Sequence, residues 1–448
     1  MKATQTLRIF NTRLRNSVTQ FATGGNWAIE FSKGTRHNLR SFFFDGVSAS
    51  ASDSIILTYL TLYLLSLGGG TADVGLMTSL ASLSAVLLLI PGAKLVDRTG
   101  KRKMIVLMSG GGIRRIAILL LAMVPLAISG KAAIYVVIAL MVIMDGMGNL
   151  GLPAWISMTA DIVPLSKRGR YFGTRNMAMG VSKILTTFIV GLMITRIGSP
   201  VGFQWAMGLA FIFGMISTSY FSRINETEFA EKKPFRGKTE SYSIKALIST
   251  LRSDRNFTLF CIYTAVWTFS LSLAGPFFSV YMVQDLKATA AFVGVTSIVS
   301  ALSSIPAQKL FGPLADKWGA RKLILVTSGI IPILPLMWYF TSEPWHVFPI
   351  NTIGGALWAG YGIATFNFLL SVSPAEQRAR YTALYQISVA SSAALGAALG
   401  GVVANYLGLN IIFLLSGIGR FMAAGIFAKF VHSPTEEQAC LQSSGQFK

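Results

Sequence analysis

Long apolar runs recur along nearly the whole chain, and they limit the possible folds more than any other feature of the sequence. A helix needs about 20 apolar residues to cross a bilayer core of about 30 Å. Of the 448 residues, 52% are hydrophobic and 13% are charged, whereas soluble domains carry about 25% charged residues. We therefore predict an all-α integral membrane protein with twelve transmembrane helices. The predicted spans are residues 41–67, 74–96, 104–127, 132–158, 171–195, 201–221, 256–283, 291–314, 323–341, 347–371, 381–406 and 409–430.

Basic residues are distributed unevenly between these spans. The net charge of +21 would indicate a nucleic-acid partner in a soluble protein. Here 32 of the 39 Lys and Arg residues lie in the two tails and in every second loop, while the opposite loops hold Lys131, Arg196 and Lys287. By the positive-inside rule, we predict a multi-pass protein of the cell (inner or plasma) membrane with both termini cytoplasmic. Its macromolecular surroundings are the lipid bilayer, and no nucleic-acid partner is expected.

The longest polar stretch between spans, residues 222–255, divides them six and six. We interpret it as a cytoplasmic linker between an N-terminal half, 41–221, and a C-terminal half, 256–430. Residues 1–40 and 431–448 are then cytoplasmic tails.

The N-terminal tail has an amphipathic pattern. Its apolar residues recur every three or four positions with arginines between them, which is typical of a helix lying in the membrane interface. A transit peptide is the alternative, because the tail has no acidic residue before Glu30. We favour the interfacial helix. Its apolar residues are Leu7, Phe10, Leu14, Val18 and Phe21.

Two motifs occur once in each half and in the same order. Residues 95–103 read LVDRTGKRK and residues 314–322 read LADKWGARK, while residues 164–171 read PLSKRGRY and residues 374–381 read PAEQRARY. The offsets, 219 and 210 residues, differ by an amount that shorter loops absorb. We therefore predict two duplicated, pseudo-symmetric six-helix halves.

The first of these motifs resembles the G-x-L-a-D-[RK]-x-G-[RK]-[RK] pattern of the major facilitator superfamily, and the resemblance covers roughly residues 40 to 430. The second copy fits completely from Gly312, whereas the first has Ala93 at that point and Gly92 one residue early. Looser helix packing is expected there. The resemblance implies a secondary transporter whose halves rock about a central cavity. That cavity would be lined chiefly by helices one, two, four, five, seven, eight, ten and eleven.

The resemblance also implies a cytoplasmic gate, in which Asp97 and Asp316 brace neighbouring helices and the arginines of the second motif are local partners. The alternative is that these loops are positive-inside anchors, which explains the basic residues but not an aspartate at the same place in both copies. The predicted gate residues are Asp97, Gly100, Arg102, Arg168, Arg170, Gly312, Asp316, Gly319, Arg321, Arg378 and Arg380.

Ionisable residues lie deep inside several spans of the first half. Each costs at least about 2.5 to 3.5 kcal/mol to insert, so each is a functional candidate. The second half instead offers Arg420 and a wall of aromatic and amide side chains. A charge-balanced packing network within the first half is the structural alternative. The predicted cavity or proton-coupling residues are Asp53, Asp145, Arg114, Arg115, Lys183, Trp267, Trp358, Tyr361 and Gln386.

We predict transport of a small organic solute, coupled to protons. An unpaired Asp53 or Asp145 would bind a proton in one conformation and release it when it pairs with a cation in the other. Positive charge at the same depth would favour an anionic substrate. A polyspecific drug exporter and a non-transporting receptor remain alternatives, although the fifth span lacks the proline of many drug-proton antiporters, because no proline occurs between Pro164 and Pro200.

Other site classes find little support in the sequence. His37, His346 and His432 lie outside the deep spans, so neither a metal cluster nor a Ser/His/Asp site is expected there. We predict no enzyme activity and no cofactor, and oligomerisation is not implied. Cys261 and Cys440 give no disulfide framework. Three glycines at 110–112 and the pair Gly396 and Gly400 read as helix-packing positions.

Overall fold

The computed structural model describes residues 21–23, 25–164, 167–226, 244–374 and 377–433, and all regular structure in those ranges is helical. The apolar residues of the predicted interfacial helix, Phe21 apart, lie outside the described residues. The long helices are α1 (Lys33–Ser66), α2 (Thr71–Thr99), α3 (Arg102–Ala127), α4 (Lys131–Ile162), α5 (Arg168–Ile197), α6 (Val201–Ser222), α7 (Arg255–Gln284), α8 (Ala290–Trp318), α9 (Ala320–Tyr339), α10 (Val347–Val372), α11 (Arg378–Leu407) and α12 (Leu409–Phe430). Shorter helical segments cover Asn26–Glu30, Ile244–Ser253 and Pro344–His346.

Each predicted span overlaps one of these helices. Eleven helical segments in the described ranges are long and apolar enough to cross a membrane. The remaining long helix, α1, has 34 residues but carries two aspartates and a series of serines, so its composition is more polar. That polar stripe is the face we consider below.

Side-chain caps fix several helix starts. α1 begins eight residues before the predicted span because the Ser32 hydroxyl accepts a hydrogen bond from the Thr35 amide at 3.0 Å. Asp254 caps α7 in the same way through the Phe257 amide at 2.8 Å.

α3 contains one turn of π-helix, Leu107–Ile113, directly before two arginines. The segment includes the three consecutive glycines, which are therefore helical, as predicted. Gly111 allows close approach of α6, since a Cβ there would lie 2.8 Å from the Thr218 methyl carbon. A π turn accommodates an extra residue and changes the direction in which the following side chains point.

By contacts the chain forms two compact units. The first unit comprises Met1–Leu60 and Leu87–Arg236, and the second comprises Thr61–Val86 and Gly237–Lys448. The start of α2 belongs to the second unit because its small residues pack on α11, where Gly75 faces Gly401. The division into halves at residues 222–255 remains a prediction.

A similar clamp joins the first and last helices of each unit. In the first unit the Asn38 side chain donates to the Asn225 carbonyl at 2.9 Å and accepts from its amide at 2.8 Å. In the second unit Asn256 makes the same two bonds with the backbone of His432, at 2.9 and 3.0 Å. The repeat that the motifs predict is therefore visible in backbone contacts.

Glycine contacts account for close packing within each unit. The predicted pair Gly396 and Gly400 lies directly against backbone carbonyls of α7. The looser packing expected near Ala93 is wrong, because Gly92 itself contacts the backbone of Leu150 in α4, whereas a Cβ on Gly312 would meet nothing.

Candidate functional site

The polar face of α1 faces a cavity of about 460 Å³ inside the first unit. Asp53 lies on this face, and its carboxylate is 3.1 Å from the Arg114 guanidinium of α3. The Asp53 side chain is 46% exposed and that of Arg114 is 22% exposed, so the pair is accessible from the cavity. Apolar lining residues include Leu57, Leu107, Leu152, Trp155 and Met179.

Asp145 of α4 is the third member of this group. Its carboxylate interacts electrostatically with both Arg114 and Asp53. Gly148, one turn away, leaves room for the Arg114 side chain, which lies 3.7 Å from the position of a Cβ on that glycine. The structure thus brings two carboxylates and one guanidinium together, and among the described residues Asp145 forms no ion pair of its own.

Arg115 also borders the cavity but makes different contacts from Arg114, because successive helical residues differ by about 100°. It is 5% exposed, crosses Gly214 of α6, and donates to the Ser52 hydroxyl of α1 at 3.2 Å. Ser52 in turn donates to the Ala210 carbonyl at 2.7 Å. Arg115 therefore links α1, α3 and α6 at the wall of the cavity.

A second charge pair, more deeply buried than the first, lies about two turns nearer the start of α1. The Asp45 carboxylate accepts a hydrogen bond from Ser217 at 2.6 Å and lies 3.9 Å from the guanidinium of Arg175. Arg175 also donates to the Phe42 carbonyl at 3.1 Å and lies over the Phe42 ring at 4.1 Å. Gly46 makes room for it, since a Cβ there would overlap the guanidinium.

Arg175 is not among the predicted site residues, because its position near the start of a span gives it the appearance of a basic loop residue. A usable signal was present: Arg175 follows Tyr171 by four residues, which places both on one face of α5. Tyr171 donates its hydroxyl to the Leu39 carbonyl at 2.6 Å, so this face packs on α1.

Lys183 also lines the cavity. No described carboxylate lies within ion-pair distance of its amine. Among the described residues no aspartate neutralises Lys183 in this conformation, as the alternative of a charge-balanced packing network would require.

In the predicted gate, Arg102 forms the principal contacts of the first unit. It lies 2.6 Å from Asp161 of α4 and 3.1 Å from Glu226, and it donates to Ser157 at 2.9 Å. The neighbouring Lys103 donates to the Ile224 carbonyl at 2.7 Å. Asp161 and Glu226 were missed, because neither belongs to a repeated motif.

The expected pairing of Asp97 with the arginines of the second motif is not present in this conformation. Asp97 is exposed, and no described cation lies within ion-pair distance of it. Arg168 instead donates to the carbonyls of Ala160 and Val163, which are free because α4 ends there. Arg170 lies beside Gly25.

The second unit repeats only part of this arrangement. Arg321, the counterpart of Arg102, donates to the carbonyls of Val431 at 2.7 Å and Ala428 at 3.0 Å at the end of α12. Asp316 is exposed, and Arg380 is half-buried, with no hydrogen-bond partner for its Nε in the described part of the chain. The side chain of Arg378 lies outside the described residues.

The motif glycines Gly100 and Gly319 have positive φ angles of 63° and 80°, with open space around the Cβ position. Backbone conformation, and not close packing, is therefore what requires glycine at these two positions.

The predicted aromatic wall is a compact cluster inside the second unit. Trp267 stacks on Tyr361 at 4.9 Å and contacts Trp358 edge to face at 6.2 Å, while the hydroxyls of Tyr361 and Tyr263 are 2.9 Å apart. Arg420 is 2% exposed, and its Nε and Nη2 have no hydrogen-bond partner among the described residues. Gln386 lies exposed on α11, apart from this cluster.

The chain is similar to known membrane transporters along most of its length. The MFS_1 like family model matches residues 39–415. The multi-drug resistance efflux pump PmrA of Streptococcus pneumoniae serotype 4 is 24% identical over 393 residues, which cover 86% of this chain and 93% of that protein. The multidrug resistance protein MdtG of Proteus mirabilis is 24% identical over 412 residues, 89% of this chain and 95% of its own.

Solved structures share the fold at lower identity. The nucleoside transporter NupG superimposes with a TM-score of 0.69 at 12% identity, over 88% of this chain and 98% of its own. A D-xylose-proton symporter gives a TM-score of 0.65 at 13% identity, over 93% of this chain and 98% of its own.

Proposed function

Because the chain belongs to the major facilitator superfamily, and is therefore a multi-pass membrane transporter of the twelve-helix type, we propose that it exports small organic compounds in exchange for protons by alternating access. The observation that carries this proposal is the Asp53–Arg114 ion pair in a solvent-accessible cavity, with the Asp145 carboxylate close enough to interact electrostatically with Arg114. We further propose that the membrane is the cell membrane, with both termini in the cytoplasm.

The Arg114 guanidinium supports proton coupling on electrostatic grounds. Arg114 can neutralise one carboxylate at a time, and in this conformation it pairs with Asp53. The remaining carboxylate, Asp145, has no ion-pair partner and no hydrogen-bond donor among the described residues, and an ionisable residue without a partner inside a span is a candidate proton site. A movement that transfers Arg114 from Asp53 to Asp145 would then release one proton and allow another to bind.

A purely structural role fits the group less well. The Asp45–Arg175 pair borders the same cavity but is nearly buried, with exposed side-chain fractions of 8% and 5%, as expected of a structural ion pair. Asp53 is 46% exposed to the cavity, and Lys183 lines the same cavity without a carboxylate partner. Charges that face solvent in this way are available to protons and solutes.

The direction of transport is proposed from the curated relatives, of which PmrA and MdtG are named as multidrug resistance proteins. The mainly apolar cavity lining, with a few charges, suits amphipathic organic compounds. The missing proline in the fifth span marks a difference from many drug-proton antiporters of the superfamily but removes none of the groups on which the proposal rests.

The test is proton-driven transport of ethidium by the purified protein in liposomes, followed by fluorescence under an imposed pH gradient. The wild type is expected to accumulate ethidium against its gradient. Asp53→Asn with Asp145→Asn should reduce the rate to that of protein-free liposomes, while the control Asp285→Asn, outside the membrane spans, should leave it unchanged. Uptake that persists in the double variant would overturn proton coupling through these residues. Ethidium binding without flux in the wild type would favour a receptor.

A further inference from the structure

The outer face of α6 carries an apolar groove that ends at an arginine. The groove has a volume of about 450 Å³ and is lined by Phe211, Ile212, Met215 and Ile216, with Tyr220 and Arg223 at its end. Ile212, Met215 and Ile216 are 52%, 42% and 40% exposed. The groove is therefore an open surface of the first unit, separate from the charged cavity.

A second arginine is held at the same end by aromatic stacking. The Arg223 guanidinium lies 5.1 Å from the Tyr220 ring, Tyr220 stacks on Phe44 of α1 at 5.2 Å, and the Arg40 guanidinium lies 5.9 Å from the Phe44 ring. No described carboxylate forms an ion pair with Arg40 or Arg223. Two guanidinium groups thus lie at the end of the apolar groove, and no described carboxylate neutralises their positive charge.

The length of the groove matches one leaflet of a bilayer. From Phe211 to Arg223 the helix rises about 18 Å at about 1.5 Å per residue, and half of a hydrocarbon core of about 30 Å is about 15 Å. In the topology proposed above, with both termini cytoplasmic, the arginine end faces the cytoplasm, where the leaflet is rich in anionic lipids. Tyr220 occupies the headgroup level that tyrosine prefers.

We propose that this groove binds one anionic phospholipid of the cytoplasmic leaflet. An acyl chain lies along α6 beside Ile212 and Ile216, and the headgroup phosphate accepts hydrogen bonds from Arg40 and Arg223. The inference is independent of the transported compound and of proton coupling, because none of these residues belongs to the cavity.

The lipid would stabilise the joint between the first and last helices of the first unit. Arg223 lies at the end of α6, and its carbonyl is 3.1 Å from the His37 ring nitrogen of α1. The Asn38 clamp on Asn225 lies beside it. A phosphate that bridges Arg40 and Arg223 adds a charged link to these two neutral ones.

The test is a thermal-shift and native mass spectrometry titration of the full-length protein in detergent. Phosphatidylglycerol is compared with phosphatidylcholine and with glycerol phosphate, the headgroup without acyl chains. We expect phosphatidylglycerol alone to bind and to raise the unfolding temperature. Arg40→Gln with Arg223→Gln should weaken its binding about 30-fold, the factor given by about 1 kcal/mol for each of two arginines. The control Arg196→Gln, at the opposite end of the bundle, should have no effect.

Met215→Trp tests the contribution of the apolar groove alone, because the larger side chain fills the groove and leaves both arginines in place. It should lower phosphatidylglycerol affinity while the unfolding temperature without lipid stays near that of the wild type, which shows that the variant is folded. Equal binding of phosphatidylcholine, equal binding of glycerol phosphate, or unchanged lipid affinity in the double arginine variant would overturn the proposal.

Discussion

At the scale of single residues, the two charge pairs of the first unit have opposite settings. Asp45 and Arg175 border the cavity but are nearly buried, and each makes a further hydrogen bond, Asp45 with Ser217 and Arg175 with the Phe42 carbonyl. Asp53 and Arg114 face a cavity. The first pair is suited to holding α1, α5 and α6 together, and the second is suited to changing partners.

Removal of one member of the enclosed pair should therefore destabilise the protein. Arg175→Met leaves the Asp45 carboxylate buried without a cation, and we expect a loss of about 3 to 5 kcal/mol in the free energy of unfolding. Asp45→Asn added to this variant should restore part of the loss. The measurement is thermal unfolding in detergent, with Arg196→Met as an exposed control. An unfolding temperature for Arg175→Met equal to that of the wild type would show that the pair carries no stability.

Some charged residues inside the first unit could be predicted from the sequence, and others could not, for a physical reason. Asp53, Asp145 and Arg114 were predicted as a group because a charge in an apolar run is conspicuous. Arg175 was not, since it lies near the end of its span, where a basic residue reads as an interfacial anchor. Its partner Asp45 lies 130 positions away in the chain, and no local pattern joins the two.

At the scale of elements, helix packing in the first unit depends on where glycines allow a neighbour to approach. In α6, Gly214 lies directly against the Arg115 side chain. A Cβ atom added at Gly214 would be only 2.6 Å from the Cδ of Arg115. Gly208 in the same helix has open space around its Cβ position. The two glycines therefore offer a matched comparison.

We expect Gly214→Val to displace Arg115 from Ser52 and to lower the unfolding temperature, because overpacking a filled site costs about 1 to 3 kcal/mol. Gly208→Val should change it little, since the new side chain enters open space. The measurement is the unfolding temperature of both variants in the same detergent. Equal decreases for the two substitutions would mean that the contact between Gly214 and Arg115 does not contribute to stability.

Helix positions were well predicted, and helix irregularities were not. Span length follows from membrane thickness, so each apolar run matched one helix. The π turn at Leu107–Ile113 could not be predicted, because its glycines only permit it, and the contact with Thr218 that accompanies it comes from a distant part of the chain. That turn sets the directions of Arg114 and Arg115.

At the scale of the whole molecule, the repeated motifs predicted pseudo-symmetry, and the two units confirm the twelve-helix fold while differing in chemistry. The Asn38 and Asn256 clamps repeat, and so does the reach of Arg102 and Arg321 toward the last helix of each unit. The clamps could not be predicted from the sequence, because the number of residues between Asn38 and Asn225 differs from the number between Asn256 and His432. The carboxylates of the cavity occur in the first unit, and the buried Arg420 occurs in the second.

This asymmetry places the proposed coupling in the first unit and leads to the central claim, that protonation of Asp53 and Asp145 changes the balance between conformations. The claim can be measured without a known substrate. Spin labels at Arg98→Cys and Lys317→Cys, exposed and equivalent positions of the two motif copies, report distance changes in a background in which Cys261 and Cys440 are replaced by alanine.

The decisive measurement is the distribution of distances between these labels by pulsed electron paramagnetic resonance in acidic and in alkaline buffer. We expect two populations whose ratio shifts with pH in the wild type, and a fixed ratio when Asp53→Asn and Asp145→Asn are present together. A pH-dependent shift of the same size in the double variant, or no shift in the wild type, would contradict the central claim.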